Sequence, residues 1–367
     1  AHPAKMPGMR LRPFAHRGLA EAPAAMKTAR RRPLIFGSRG QEEMRAAYYE
    51  QNGAARDVLR VGEMDTPEPG PGEVRVKVVF SGVNPSDVKA RAGSRKITVP
   101  RIIPHSDAGG VVDKVGPGVS PSRVGERVWT WNAQWKRPFG TCAEYVALPA
   151  AMAVPLPDHV SFEAGACLGI PAMTASHAVD VAGARSGMTV LVSGGAGAVA
   201  HYAIQFAKAR GATVITTVSS EPKARLARQA GADHIIDYKR ENVGARVKAL
   251  TGGQGVDAVL ELDFAVNARL LPDVLRPRGL VIIYGNSRPI AEVPTMFCLI
   301  NQITLKYIFV YELTEQERAR AIAEITRLMN EKRLIHNIAQ VFSLEDIVAA
   351  HEAVEQGRVA GNVVIRM

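Results

Sequence analysis

Three consecutive apolar residues, Val190-Leu191-Val192, run almost directly into a glycine cluster, Gly194, Gly195 and Gly197. Few other junctions in a chain restrict its fold as tightly. An apolar run without polar alternation marks a strand buried on both faces. Val199, Ala203, Phe206 and Ala207 then recur at helical spacing, and Gly211 stands where a helix C-cap is expected. A β-rich run follows from Ala212 to Val218. Strand, glycine turn, helix and strand make one βαβ unit, with the pattern Gly195-x-Gly197-x-x-Ala200 at its turn. Glycine allows a tight turn and lets backbone N–H groups approach a pyrophosphate seated on the positive helix end. The third position needs only a small residue for close helix–strand packing. Because the pattern lies between a strand and a helix, it predicts a dinucleotide site. Gly195, Gly197, Ala198 and Val199 are the candidate pyrophosphate contacts.

The end of the next strand bears on which dinucleotide. An acidic residue there would hold the ribose 2′-hydroxyl of NAD and repel a 2′-phosphate. This strand ends Thr217-Val218-Ser219-Ser220, followed by Glu221, Pro222 and Lys223. Hydroxyls, helix-start N–H groups and a lysine suit a phosphate. Ser220, Glu221 and Pro222 equally favour a helix start, and the two roles are compatible. The expected cofactor is NADPH.

Around this unit the chain divides in character. Residues 45–150 read as short strands separated by glycine and proline turns: MRAAYYEQNG, DVLRVGEM, EVRVKVVFSGVN, IIPHSDAGGVVDKVG and GERVWTWN, with a short helix after Pro85. Such composition predicts a partly open barrel. SFEAGACLGIPAMTASHAV reads as a helix capped by Ser161. Beyond the glycine unit, HIIDY, VDAVLEL, GLVIIYG and ITLKYIFVY read as strands, with helices at ENVGARVKAL and 266–276. Alternation of this kind means a parallel sheet with helices on both faces. Residues 314–333 form an amphipathic helix. Ser343-x-x-Asp346 resembles a capping box opening another helix, and NVVIRM closes the chain as a strand that rejoins the first domain. The expected architecture is α/β: a β-rich domain of 44–168 with 312–367, and a Rossmann-type doubly wound domain of 169–311.

Residues 1–43 hold nine Lys/Arg against three Glu, more than half of the net charge of +11. They read as a basic arm, either a targeting peptide or an upstream extension. The charge left on the remainder is modest and does not indicate nucleic-acid binding. No apolar run approaches the about 20 residues of a membrane-spanning helix. Cys142, Cys167 and Cys298 are too far apart for zinc spacing and odd in number, which favours a reducing, cytoplasmic setting.

GVNPSDVKARAG (82–93), IIPHSDAGGVV (102–112), GERVW (125–129), AEYV (143–146), GACLGIPAMTASHAV (165–179) and the glycine unit together resemble the medium-chain dehydrogenase/reductase superfamily. Within it they are most similar to the zinc-independent quinone oxidoreductases of the zeta-crystallin type. The resemblance implies a GroES-like catalytic domain beside the Rossmann domain. Where zinc-dependent relatives hold catalytic metal, this chain has Asn84, Ser106 and Ile170, and only Cys142 remains of the four-cysteine structural lobe. His105 lies one residue from a ligand place and is read as structural. No metal is therefore expected, and an already polarised acceptor needs no Lewis acid.

The resemblance also implies that Lys223 and Tyr238 contact the 2′-phosphate, and that Asn84, Thr174, Gly285, Asn286 and Asn362 surround the nicotinamide. Lys89 takes a place where relatives often have tyrosine. It is read either as stabilising charge on the acceptor oxygen or as a surface lysine. Trp129, Trp131 and Trp135 line the acceptor pocket or pack the core. The expected activity is NADPH-dependent hydride transfer to a quinone or related electrophilic carbonyl compound, with Asn84 and Lys89 as candidate catalytic residues. Reduction of an alkenal, enone or enoyl thioester, and NADPH binding without turnover, stay open as alternatives. The edge strand within 303–310 is expected to pair two copies into a homodimer.

Overall fold

A computed structural model describes residues 42–367, so the expectations for 1–41 lie outside the described residues. Fifteen strands are present: β1 Glu43–Tyr48, β2 Arg60–Asp65, β3 Glu73–Val83, β4 Asp107–Val115, β5 Arg127–Thr130, β6 Tyr145–Pro149, β7 Ala153–Pro155, β8 Thr189–Val192, β9 Thr213–Val218, β10 His234–Asp237, β11 Val256–Glu261, β12 Leu275–Ile283, β13 Thr304–Tyr307, β14 Ile338–Ser343 and β15 Asn362–Arg366.

Strands β8 to β13 form one sheet in the order β10-β9-β8-β11-β12-β13, and every pairing in it is parallel. Alternate residues of these strands enter opposite cores. Val190, Val192, Val214, Ala258, Leu260 and Ile282 pack with Ala203, Phe206, Ala227 and Ile325. Leu191, Ile215, Val259, Val281 and Ile283 pack with Val243, Val247, Phe264 and Leu271. Apolar residues at both parities are what a sheet covered by helices on both faces requires. The strand order reverses between β8 and β11, where a crevice opens at the carboxyl ends of the strands.

The second sheet runs β14-β15-β3-β4-β5-β7, with β6 also paired to β3. Every pairing in it but β14–β15 is antiparallel, and it packs around a core of Val74, Val76, Val112, Val128, Val146 and Leu148. The chain's final strand, β15, pairs with β3, which brings the C-terminus back to the β-rich sheet. Helix Glu315–Asn330 instead packs through Ile325, Leu328 and Met329 into the core shared with the parallel sheet.

Several elements differ from the sequence reading. Asp57 and Val58 belong to a helical turn, Ala55–Val58, so β2 begins only at Arg60. The helix expected from Ser161 breaks into Phe162–Gly165, a wide turn Leu168–Ala172 and Met173–Val181. Pro171 has no N–H for a continuous ladder. Ser161 Oγ does accept from the Ala164 N–H, as a cap should. Residues 266–276 hold only short turns, and Leu275 already starts β12. The edge strand is four residues long; Val310–Glu312 forms a 3-10 turn. At Ser343 no capping box closes, because its hydroxyl donates to Asp346 Oδ2 at 2.7 Å instead of capping a backbone N–H.

Candidate active site

The glycine turn is shaped by three contacts. Gly194 has φ +70°, a conformation that favours glycine, and its N–H donates to Thr217 Oγ1 at 3.1 Å. Gly195 donates to the Thr217 carbonyl at 3.0 Å, tying the turn to β9. A Cβ on Gly195 would lie 2.3 Å from Thr216 Oγ1, which is itself held by donation to the Val192 carbonyl. Helix Ala198–Ala209 follows directly on this turn. Gly197 is its N-cap and supplies no side-chain acceptor. The first N–H groups, those of Ala198 and Val199 among them, have no partner within the helix.

A cleft of about 640 Å³ opens here, walled by Gly194, Gly197, Ser219, Lys223, Tyr238 and Asp263 among others. Lys223 Nζ donates to Ser219 Oγ at 3.1 Å. Of the carboxylates nearby, Glu221 is paired with Arg228 at 2.7 Å, and Glu241, which lines the same cleft, with Arg246 at 2.8 Å. Ser220 is the N-cap of helix Glu221–Gln229, again without a side-chain cap bond. The sequence reading passed over three residues here. Thr217 anchors the glycine turn. Glu261, buried at the end of β11, accepts from Ser193 Oγ at 2.7 Å and from Asn267 Nδ2 at 2.9 Å. Asn337 donates to the Ala196 carbonyl at 3.2 Å. A polar residue closing an apolar strand was the available signal for Glu261; nothing local marks Asn337.

The residues implied for the nicotinamide end lie where the two sheets meet. Asn84, buried, donates from Nδ2 to Asp107 Oδ2 at 2.9 Å, and its N–H donates to Asp87 Oδ2 at 2.8 Å. It is the N-cap of helix Pro85–Lys89. Thr174 Oγ1 donates to the Ile170 carbonyl at 2.6 Å. Gly285 runs against the chain at Leu262, where a Cβ would sit 2.0 Å from the Leu262 carbonyl oxygen. Asn286 Oδ1 accepts from the Ala265 N–H at 2.7 Å, and Asn362 Nδ2 donates to the Asn337 carbonyl at 3.0 Å. Lys89 is exposed, and its Nζ donates to the Asn286 carbonyl at 2.9 Å, which uses one of the ammonium's three donors. Trp129 is wholly buried, Trp131 lies under the Arg318 guanidinium, and Trp135 is half-buried with Nε1 donating to Glu312 Oε1.

Burial governs the charges. It pushes the Asp87 carboxyl up to about 7 and raises Asp107 well above its ordinary range. The Asn84 contacts and the nearby Arg95 charge only partly offset this for Asp87.

The donor set does not fit zinc. Asn84 is committed to two carboxylates, and Ile170 has no ligand atom. Both ring nitrogens of His105 are engaged, Nδ1 with Ser81 Oγ at 2.9 Å and Nε2 with His351 Nε2 at 3.0 Å. Thr141 donates to the Asp107 carbonyl, so Ser81 donates to Thr141 and accepts from His105 Nδ1–H. His351 then donates to His105. Burial keeps both rings neutral, with His105 pushed down to about 3. Among the described residues, no group of three or more His, Cys, Asp or Glu is placed to hold a metal.

An anion-ready cleft at the switch point of a parallel sheet, beside an antiparallel barrel, defines a dinucleotide-binding protein of two-part architecture. Residues 70–158 match the family described as alcohol dehydrogenase GroES-like domain, and residues 198–327 the one described as zinc-binding dehydrogenase. A quinone oxidoreductase of Rattus norvegicus is 32% identical over 319 residues, covering 85% of this chain and 94% of its own. A 2-haloacrylate reductase of a Burkholderia species is 30% identical, covering 83% and 93%. A mycobacterial protein solved in complex with NADPH superposes with a TM-score of 0.79 at 31% identity, covering 88% of this chain and all of that one. The chain belongs to the medium-chain dehydrogenase/reductase superfamily, in its zinc-independent quinone oxidoreductase branch.

Proposed function

We propose that this chain is an NADPH-dependent reductase that passes hydride to a quinone or related electrophilic carbonyl acceptor without zinc. The observation that carries the reading is the cleft beside the glycine turn, where Lys223 and Ser219 meet with no acidic residue in the ribose position. Bound NADPH supplies the hydride. In this reading the N–H groups at Gly195, Gly197, Ala198 and Val199 receive the pyrophosphate, and Ser219, Ser220, Lys223 and Tyr238 receive the 2′-phosphate. Asn84, Thr174, Gly285, Asn286 and Asn362 orient the nicotinamide end. Lys89 acts by holding the Asn286 backbone across the cleft.

The similarity to a 2-haloacrylate reductase favours a second reading, reduction of an activated C=C bond. A screen of NADPH oxidation over quinones, alkenals and enoyl thioesters separates the two. Tight NADPH binding with no turnover on any panel would refute both and leave a non-catalytic binding protein.

The division into 44–168 with 312–367 and 169–311 is part of the proposal, with helix Glu315–Asn330 lying across it. So is a homodimer through residues 303–310. Strand β13 is the sheet edge, Tyr307 stands exposed on it, and Leu299 and Ile300, in the helix before it, are 68% and 70% exposed. Unpaired edge groups flanked by apolar surface favour a second copy. All three cysteines are free thiols, in keeping with a cytoplasmic location. No helix among the described residues is long and apolar enough to cross a membrane.

A further inference from the structure

Arg95 follows the helix that Asn84 opens, on a turn pinned from outside. Asn52 Nδ2 donates to the carbonyls of Ala90, Arg91 and Arg95 at 2.9, 3.3 and 3.2 Å. The guanidinium carbon lies 4.4 Å from the centre of the Trp135 ring, and Nη1 donates to Gln134 Oε1 at 2.9 Å. Trp135 in turn packs on Tyr311 at 4.9 Å, whose hydroxyl meets Ser86 Oγ at 2.7 Å. The group is thus fixed on its face and at one corner.

Its charge is unspent. The flanking arginines are neutralised: Arg91 by Glu355 at 2.9 Å and Arg101 by Glu50 at 2.7 Å. No carboxylate among the described residues lies within ion-pairing distance of Arg95. The nearby Asp87 feels its charge, but Asp87 Oδ2 is taken by the Asn84 N–H, and burial holds that carboxyl partly protonated at neutral pH. A guanidinium offers five N–H donors in a rigid fork, suited to an oxygen anion. The group is partly exposed, and Gln134 uses one donor, which leaves four N–H donors without a partner among the described residues.

We propose that Arg95 selects the acceptor, its open guanidinium edge receiving an anionic oxygen, so that phenolate- or carboxylate-bearing acceptors are preferred over neutral ones. The proposal rests on the reductase reading for the identity of the ligand as acceptor. It places the acceptor's anionic oxygen at the guanidinium edge that Gln134 leaves unused.

The probes are 2-hydroxy-1,4-naphthoquinone, an anion at neutral pH, and its neutral 2-methoxy counterpart. Affinities of both for the NADP⁺-loaded protein are measured by equilibrium dialysis, and kcat/KM with NADPH is measured separately. Arg95→Met should lower the anion-to-neutral affinity ratio by about tenfold or more, the effect of losing a charge-assisted contact. Arg95→Lys, which keeps the charge without the fork, should fall between. In the parent, raising salt from about 20 to about 300 mM should lower the same ratio several-fold through screening. That salt series needs no variant and stands even if Arg95→Met fails to fold. A ratio within twofold of the parent in NADP⁺-binding Arg95→Met, or a ratio flat with salt, overturns the proposal. Absence of turnover with both quinones, with the affinity ratio behaving as expected, would instead refute the reductase reading and leave Arg95 as an anion site.

Discussion

Replacing Lys223 by alanine is the sharpest test of the cofactor assignment. Lys223 Nζ is held 3.1 Å from Ser219 Oγ on the cleft wall, and the neighbouring Glu221 and Glu241 are paired with Arg228 and Arg246 rather than with the ammonium. A charge-assisted hydrogen bond to phosphate contributes about 1.5–3 kcal/mol, or roughly ten- to a hundredfold in affinity. The ammonium is only partly buried, which places the expected loss toward the lower end. At physiological salt the Debye length of about 8 Å exceeds a contact distance, so the effect should persist there. Titration calorimetry with NADPH and NADH on parent and variant reads it directly. NADPH should weaken about tenfold or more while NADH changes less than about twofold, because NADH has no group at that position. Lys223→Arg should retain most of the affinity for NADPH. Equal losses for both cofactors would refute the reasoning and move the lysine's role to packing.

Other perturbations follow from the same geometry. Gly195→Ala places a Cβ 2.3 Å from Thr216 Oγ1, so it should destabilise by about 1–3 kcal/mol and weaken both cofactors alike; unchanged thermal stability would contradict the close packing. Asp87 releases its proton near 3.8 when unfolded and near 7 when folded, so the native state binds more protons between those values and stability falls as pH rises through them. Asp87→Asn should therefore gain on the parent between pH 4 and 7, by up to about 4 kcal/mol, in urea unfolding at the two ends; a pH-independent difference would rule this out. Exhaustive chelation should leave turnover intact, and stoichiometric zinc lost together with activity would overturn that expectation. For the dimer, Leu299→Glu is a cleaner probe than a change at Ile308, which packs inward. Light scattering should show a dimer for the parent and a monomer for the variant, and a monomeric parent would end the hypothesis.

What the sequence determined by itself is local. The strand–glycine–helix unit is legible because burial on both faces, helical periodicity and left-handed glycine geometry each leave a mark within a few residues. The parallel sheet follows from the alternation of such units, and the lack of a zinc donor set is readable from Asn84 and Ile170 as residue types. The tertiary structure decided the rest. Lys89 meets Asn286, 197 residues away, and His105 meets His351, 246 away. Asn337 reaches the glycine turn, and Arg95 settles on Trp135. The break at Pro171 and the shortened edge strand also went unread, since a helical or apolar pattern does not report where chain geometry interrupts it. Periodicity records which face of an element is dry. Which polar partner satisfies a buried or half-buried group depends on the packing and register of strands far apart in the chain, and no single segment encodes that.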